Sequence, residues 1–424
     1  MLGLKIFDGE NKKNIPPEIQ SQLEQEVPAR TYVLYAGRTV IGWAQILANE
    51  TGHYELAYVE IKPEYRGQGY GRDFVRFVLS EHFAQQIYCL TLKPEFFLKL
   101  GFTLEKKYPP FVDHRDPVCQ ACDPARCTAL VFRKPSDLVR FGAEQKYLRQ
   151  YENLLAGQNF LGSEFSTVNE KTWTFAENIY FLNIDGYLFL AAYPFFAEPF
   201  GVLCPYRTIP DSTLDKFWAR LQELGIRRLT YLGGRTLHIL QNYSGKNTWP
   251  ISLDRDNFDY LYKVRDFAEY PGARFANKRN RLKKFLRSHS GGTVINYAPE
   301  HRDLFFNFAR QRLAEMGVDV ISEEVLRLGL EQNLYSGFLV KVGQAEVGLL
   351  LYSELNPKTV IVHFELIDER YDGVAQFMNN YLALRLLGTY DFINREQDLG
   401  LPGLRKSKLS YNPYRLIKKY TVKF

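Results

Sequence analysis

No stretch of about 18 residues in this chain is uniformly apolar, so nothing in it reads as a membrane-spanning helix. The N-terminal MLGLKIFDGENKKN lacks the apolar core of a secretion leader, and the mean hydropathy is −0.29. The nearest candidate span, residues 178–197, carries Asp185-Gly186 at its centre and reads instead as a hairpin between two buried strands. Cysteine is scarce: five in 424 residues, an odd number, which without a leader points to a reducing compartment and predicts a cytoplasmic protein. Acid is missing from two stretches, Arg274 to Arg287 and Arg405 to Lys423, each with seven Lys/Arg. Without those fourteen charges the formal +6 becomes −8, so a mildly acidic body carries two concentrated basic segments. They read either as solvated helix faces or as sites for a polyanion such as RNA or an anionic membrane surface.

The composition, 46% hydrophobic and 24% charged, is that of a globular protein, and the length predicts two or three domains. Residues 1–135 run strand, hairpin, strand, glycine-rich turn, helix, strand, helix. A linker helix is expected over 136–155, a second unit over 156–290 and a third over 291–424. In the second unit Leu214, Phe217, Leu221 and Leu224 fall at helical spacing and Gly225 closes a helix expected over 212–224. In the basic segment Phe275, Leu282, Phe285 and Leu286 define a narrow apolar arc, with Lys278 intruding on it. The last unit repeats the grammar of the first. Gly37 and Gly42 are five apart, as are Gly343 and Gly348, and Val59 to Glu64 parallels Phe364 to Glu369 before a helix. Arg370 to Ala375 replaces the glycine turn of the first copy. The fold expected is α/β (α+β), with one N-terminal copy and a C-terminal tandem pair.

Arg66-Gly67-Gln68-Gly69-Tyr70-Gly71 lies between a strand and a helix. Glycines there let the backbone approach a ligand, and the helix start offers N–H groups and a positive dipole end to a phosphate or pyrophosphate. In this context the segment resembles the acyl-CoA signature of the GNAT acetyltransferase superfamily. Pro94 to Phe102 resembles that superfamily's following helix, and the resemblance spans about residues 29–105. It implies a GNAT-like fold and N-acyl transfer from acetyl-CoA or another acyl-CoA to an amine acceptor, with Ile61, Arg66 to Gly71 and Arg72 holding the donor. It also implies a carboxylate base, for which Glu60 and Glu55 are the candidates, and a tyrosine acid. Phe97 stands where that tyrosine aligns, which leaves Tyr108, water or a loss of catalysis. No Ser/Cys/His nucleophile is legible, so direct attack by the bound amine is expected.

Cys119, Cys122 and Cys127, with His114 upstream, have the ligand types of a tetrahedral zinc site; free cysteines in a buried loop are the alternative. Cys89 and Cys204 lie in apolar strands and are expected in the core. The stretch from Ile393 to Pro413, together with Tyr270 to Phe285, resembles the family named for the C-terminal catalytic region of phosphatidylglycerol lysyltransferase, over about 150–424. That resemblance implies two tandem GNAT-like folds and transfer of an aminoacyl group from aminoacyl-tRNA to a lipid or small-molecule acceptor. It suggests a basic RNA-binding face made by Arg274, Lys278, Arg279, Arg281, Lys283, Lys284 and Arg287. The C-terminal site candidates are Glu365, Arg395, Glu396, Asp398, Arg405, Lys406 and Lys408, for which a salt-bridged, purely stabilising loop is the other reading. A non-catalytic acyl-CoA- or RNA-binding regulator is the third reading of the whole chain.

Overall fold

The computed structural model describes residues 2–7, 15–20, 29–37, 39–49, 52–82, 86–106, 127–133, 137–156, 158–195, 197–245, 249–289, 292–317 and 320–424. Among them are three mixed sheets of seven strands with one shared plan. The first is built from β1 (Leu2–Phe7), β2 (Ala29–Ala36), β3 (Thr39–Ala48), β4 (Tyr54–Ile61), β5 (Ile87–Thr91), β6 (Thr103–Leu104) and β7 (Thr128–Phe132), in the order β1-β2-β3-β4-β5-β7-β6. The second takes β8 (Leu138–Arg140), β9 (Ile179–Ile184), β10 (Tyr187–Ala192), β11 (Phe200–Leu203), β12 (Arg228–Leu232) and β13 (Ile251–Leu253). The third takes β14 (Asp259–Lys263), β15 (Thr293–Asn296), β16 (Ser336–Val342), β17 (Ala345–Asn356), β18 (Thr359–Ile367), β19 (Phe392–Asn394) and β20 (Arg415–Ile417). The last strand, β21 (Tyr420–Lys423), returns to the second sheet, between β12 and β13.

Each sheet contains one parallel pair, and each such pair is brief. β4 and β5 join only at Tyr54↔Ile87 and Glu55↔Tyr88, β11 and β12 at Gly201↔Leu229, and β18 and β19 from Thr359↔Phe392 to Ile361↔Asn394. Beyond those pairs β4 and β18 run on to Ile61 and Ile367 while their neighbours diverge, opening a cleft in the sheet. The repeat read from the glycines is a repeat of structure. Gly37 (φ 60) and Gly343 (φ 59) turn equivalent hairpins in a left-handed conformation that suits glycine. Gly42 pairs with Ile61 and Gly348 with Ile367, and a Cβ at either would strike the neighbouring strand or helix.

Helices pack on these sheets. The first unit carries α1 (Pro17–Gln20), α2 (Tyr70–Glu81) and α3 (Pro94–Leu98). The second carries α4 (Gln145–Leu155), α5 (Thr167–Glu177), α6 (Asp211–Glu223) and α7 (Gly234–Asn242). The third carries α8 (Val264–Glu269), α9 (Ala276–Ser288), α10 (Arg302–Glu315), α11 (Val320–Glu331), α12 (Val374–Leu386) and α13 (Pro402–Leu409). None of these helices is long and apolar enough to cross a membrane. Leu214, Phe217 and Leu221 bury one face of α6, as the spacing predicts, and Gly225 (φ 72) follows its end. The hairpin at Asp185 (φ 52) and Gly186 (φ 86) has two successive positive φ angles, the turn that matches the twist of paired strands.

Three expectations need adjusting. The segment expected as a linker helix opens with β8, the edge of the second sheet, and only then becomes α4. The sheets divide near residues 253–259 rather than at 290, because the two C-terminal halves exchange strands. Where the first sheet has β7 and β6, the second has β21 and β13 and the third has β14 and β20. In α9, Phe285 is buried and Leu282 half-buried, but Leu286 is 48% exposed, so the apolar arc is narrower than its sequence suggests.

The first two units share one continuous core, from Leu4 and Phe74 through Tyr180, Phe217 and Val422. The end of α2 docks on the second unit, where Asn178 Nδ2 donates to Ser80 Oγ at 2.7 Å and Arg140 pairs with the buried Glu81 at 3.0 Å.

Candidate functional sites

In the N-terminal unit, β4 ends at Ile61 and a turn at Pro63–Tyr65 leads into the glycine segment. Gly67 (φ 78) and Gly69 (φ 87) both take the left-handed conformation, and Gly69 is the N-cap of α2. The start of α2 therefore meets the cleft between β4 and β5 with no side chain at its cap. Its orphan N–H groups and dipole suit a pyrophosphate, so the local build fits a CoA thioester. Arg66 does not reach outward: its Nε donates to the Ile61 carbonyl at 2.7 Å and its Nη2 to the Glu60 carboxylate. Arg72 is paired with Asp73 at 2.8 Å. Gly71 has an ordinary conformation, with Ile61 and Phe96 as its nearest neighbours.

The expected acid–base groups fare unevenly. Glu60 is half-exposed but held by Arg66, and Glu55 is buried beside Cys89. Phe97 is a core ring packed against Phe96 and Phe102, at 5.0 and 5.4 Å. Tyr108, His114, Cys119 and Cys122 lie outside the described residues; Cys127 stands half-buried at the start of β7. Among the described residues no three or more His, Cys, Asp or Glu side chains are grouped to hold a metal. Cys89 and Cys204 are buried, and burial pushes both thiols up, as core cysteines require.

Between the C-terminal halves lies a cavity of about 1190 Å³. It brings together Glu365 from β18, Arg395, Glu396, Lys406 and Lys408 from the 393–409 segment, and Lys278 and Arg281 from α9. Arg395 sits at its centre, pairing with Glu365 through Nη2 and facing the Tyr411 ring at 4.9 Å. Its Nη1 is buried without a partner. Burial, the largest influence, opposes the guanidinium's charge, but Glu365 together with Tyr262, Tyr411 and Tyr270 outweighs it, and the proton is held more firmly than usual. Glu365 in turn accepts from Asn379 at 2.8 Å.

Two lysines here have weakened amines. Burial, with Arg395 close by, pushes Lys408 down to about 8, and it donates to the Arg395 carbonyl at 2.6 Å and to that of Gln397. It thus holds the loop in which Glu396 (φ 52) adopts a strained left-handed conformation. Lys278 is also pushed to about 8, by burial and then by Arg395 and Arg281; its Nζ lies 3.6 Å from the Tyr411 ring centre and donates to Ser410 at 2.8 Å. Burial works against the charge of Glu396, but His363 at 3.3 Å and Asn169 at 2.9 Å hold its carboxyl below the usual range. His363 Nε2 meets Ser353 Oγ at 2.8 Å.

Asp398 and Arg405 are placed differently from the other candidates. Asp398 is fully buried behind the cavity, bound by Arg405 (2.7 Å), Arg255 (3.0 Å), the Tyr260 hydroxyl (2.5 Å) and the Gly400 N–H (2.9 Å). Despite burial, that ring of donors holds its carboxyl well below the usual range. It braces the loop beneath the site. The basic face is likewise partly spent inside the molecule. Arg279 donates to the carbonyls of Tyr270 and Gly272, Arg274 pairs with Asp266, and Arg281 and Lys284 with Asp372. Lys283 and Arg287 are exposed. The helix also closes the third unit's counterpart of the glycine turn. Gly373 (φ 95) caps α12 as Gly69 caps α2, but a Cβ on it would run into the Arg281 carbonyl.

Sequence reasoning missed His363 and, from α5, Glu170, Trp173 and Glu177, all on the cavity wall. Their three- and four-residue spacing was the available signal.

Three sheets on one plan, each with a splayed parallel pair, define a protein of the GNAT-like acyltransferase class, and the chain is a transferase of that class. The model of the phosphatidylglycerol lysyltransferase C-terminal family matches residues 205–423, more than half of the chain, and the chain belongs to that family. The acetyltransferase (GNAT) family model matches residues 5–102. An uncharacterized protein of Mycoplasmoides gallisepticum is 24% identical over 223 residues, covering 50% of this chain and 71% of its own. A conserved protein of unknown function from Bacteroides thetaiotaomicron shares the fold, with 21% identity and a TM-score of 0.60 over 65% of this chain and 96% of its own. The structure of L-PGS from Bacillus licheniformis aligns at 14% identity and a TM-score of 0.45, over 65% of this chain and 91% of its own.

Proposed function

We propose that the cavity between the C-terminal halves transfers an aminoacyl group from aminoacyl-tRNA to an amine. The observation that carries this reading is Arg395, a residue that lines a cavity large enough for a substrate and whose buried Nη1 donor has no hydrogen-bond partner. An acyl carbonyl oxygen that gains charge as the amine attacks would accept from it. Lys278, with an amine at about 8, and the ionised Glu396 are placed to handle the nucleophile's proton. A tRNA donor is favoured over CoA at this site because α9 obstructs the cap of α12 and because that same helix leads exposed Lys283 and Arg287 away from the cavity.

The test uses the purified full chain with aminoacyl-tRNA and a mixture of amines, following release of uncharged tRNA. Arg395→Lys keeps the charge but loses the fork, and transfer should fall at least about a hundredfold. Replacing Lys283, Lys284 and Arg287 by Gln removes up to three phosphate contacts, so the salt slope of tRNA binding should fall by about 2. An unchanged slope and affinity would remove tRNA from the reading.

A second reading concerns the N-terminal unit, for which the left-handed Gly69 cap at the splayed strands is the specific support. We propose that it binds acetyl-CoA or another acyl-CoA there and acylates an amine by direct attack. Hydrolysis-corrected release of CoA thiol in the presence of amines tests it.

A further inference from the structure

The cavity extends past Glu396 onto α5 and the face of the second sheet. Glu170, Trp173 and Glu177 share one side of α5 and all line this end. Glu170 is 9% exposed, and its Oε2 has no hydrogen-bond partner. Among the described residues neither Glu170 nor Glu177 forms an ion pair. The nearby cations are engaged elsewhere: Lys171 with Glu152 at 3.6 Å, and Lys419 with Glu164 and Asp259 at 3.0 and 2.9 Å. Tyr231, at a positive φ of 57 where the β12–β21 register shifts, adds its ring to the same wall. Ile179, Leu190 and Val202 form an apolar floor.

Such carboxylates are costly to keep charged. Burial pushes Glu177 up to about 7, and burial with the charges of Glu177 and Glu164 pushes Glu170 well above the carboxylate range. Besides these acids, the titratable groups facing Glu170 are Tyr151 of α4, Cys204 after β11 and Tyr231 of β12; Lys419, the partner of Glu164 and Asp259, lies with its Nζ 5.4 Å from the Tyr231 ring centre. Lys419 over Tyr231 and Arg228 over Phe200 stand at this wall, but among the described residues neither pairs with Glu170 or Glu177.

We propose that this end of the cavity binds a linear di- or polyamine, with one ammonium group at Glu170 and another at Glu177. Two helical turns separate the two residues, about 10 Å along the axis, which is the span of a short polyamine. The apolar floor takes the methylene segments, and Trp173 offers its ring face to an ammonium group. A ligand with a single ammonium leaves one carboxylate unpaired, and an anion is repelled. This rests on the transfer reading only for the ligand's fate. Where the ligand carries a third amine, that amine in its free-base form makes the new C–N bond as acceptor while the acyl carbon–oxygen bond to the tRNA ribose breaks. The proton lost by nitrogen ends on the departing ribose hydroxyl.

The experiment is calorimetric titration of the full chain with spermidine near pH 7.5, in two buffers of different ionisation enthalpy. Pairing with ammonium ionises Glu170, so binding should release protons to the buffer and tighten as pH rises from 6 to 8. Glu170→Gln and Glu177→Gln should each weaken binding at least about tenfold. Because Glu170 has no partner to lose, the first variant should melt no lower than the parent. Failure of spermidine to bind at millimolar concentration overturns the proposal. So does equal affinity in both variants, or butylamine binding as tightly as spermidine. Transfer to some other amine without spermidine binding sinks this site and leaves the transfer reading standing; spermidine binding without any aminoacyl transfer does the reverse.

Discussion

Arg395 and Glu365 are nearly buried together, with side chains 9% and 13% exposed, so each is the other's compensation for leaving water. Arg395→Ala strands the carboxylate and should destabilise the protein by about 3–5 kcal/mol, whereas Arg395→Ala combined with Glu365→Ala should recover much of that loss. Denaturant melts of the two variants check the difference. At Lys278 the sign of the pH effect is opposite to that of a surface lysine gaining a partner. Its folded value of about 8 lies below the unfolded value of about 10.4, so the folded state binds fewer protons and stability rises with pH across that window. Charge density in the 393–408 segment was enough to nominate Arg395, Glu396 and Lys408 from the sequence, because charges gathered in a motif are visible one by one. Glu170 and Glu177 showed in the sequence only the spacing that puts them on one face of a helix. On paper they are two helix acids, and what sets them apart is the depth at which the fold places them. Lys278 counted with the basic face even though its position intrudes on the apolar arc, and that intrusion was the signal that it turns inward onto Tyr411.

At the scale of elements, the turn before α2 separates glycines that need their conformation from one that does not. Gly67→Ala and Gly69→Ala force a side chain into the left-handed region and should each cost about 1 kcal/mol, and bulkier residues at position 69 should also abolish CoA binding. Gly71→Ala should fold normally, since its new methyl would meet only Ile61 and Phe96, at 3.6 and 3.8 Å. Thermal melts and CoA titrations of the three variants, side by side, distinguish these outcomes. The turn and the hairpin at Asp185-Gly186 were readable because glycine reports backbone conformation directly. The obstruction at Gly373 was not, because it depends on α9, a helix some ninety residues away in sequence, lying across the cap. Brief parallel pairing is equally silent in sequence: β4 and β18 look like ordinary strands, and only their neighbours' divergence makes a cleft.

For the whole molecule the strand exchange matters most. β21 lies inside the second sheet, with Val422 fully buried, although its sequence neighbour β20 belongs to the third. Removing residues 420–424 should therefore unfold the second unit rather than fray a terminus. Proteolysis should then cut readily within 178–253 of the shortened chain, while the intact chain resists. The repeat of the first unit's grammar placed the boundary near 290 because an exchanged strand has no local signature; its partner is chosen by a sheet more than 150 residues earlier. There is a consequence for the order of events during synthesis. A nascent chain that has emerged as far as residue 417 holds the third sheet's strands but leaves a gap between β12 and β13. The buried contacts of Lys419 with Asp259 of the third sheet and Glu164 of the second unit are missing too. The cavity between the halves therefore stays incomplete until residues 419–423 have been made, so its walls are among the parts of the described chain that close latest.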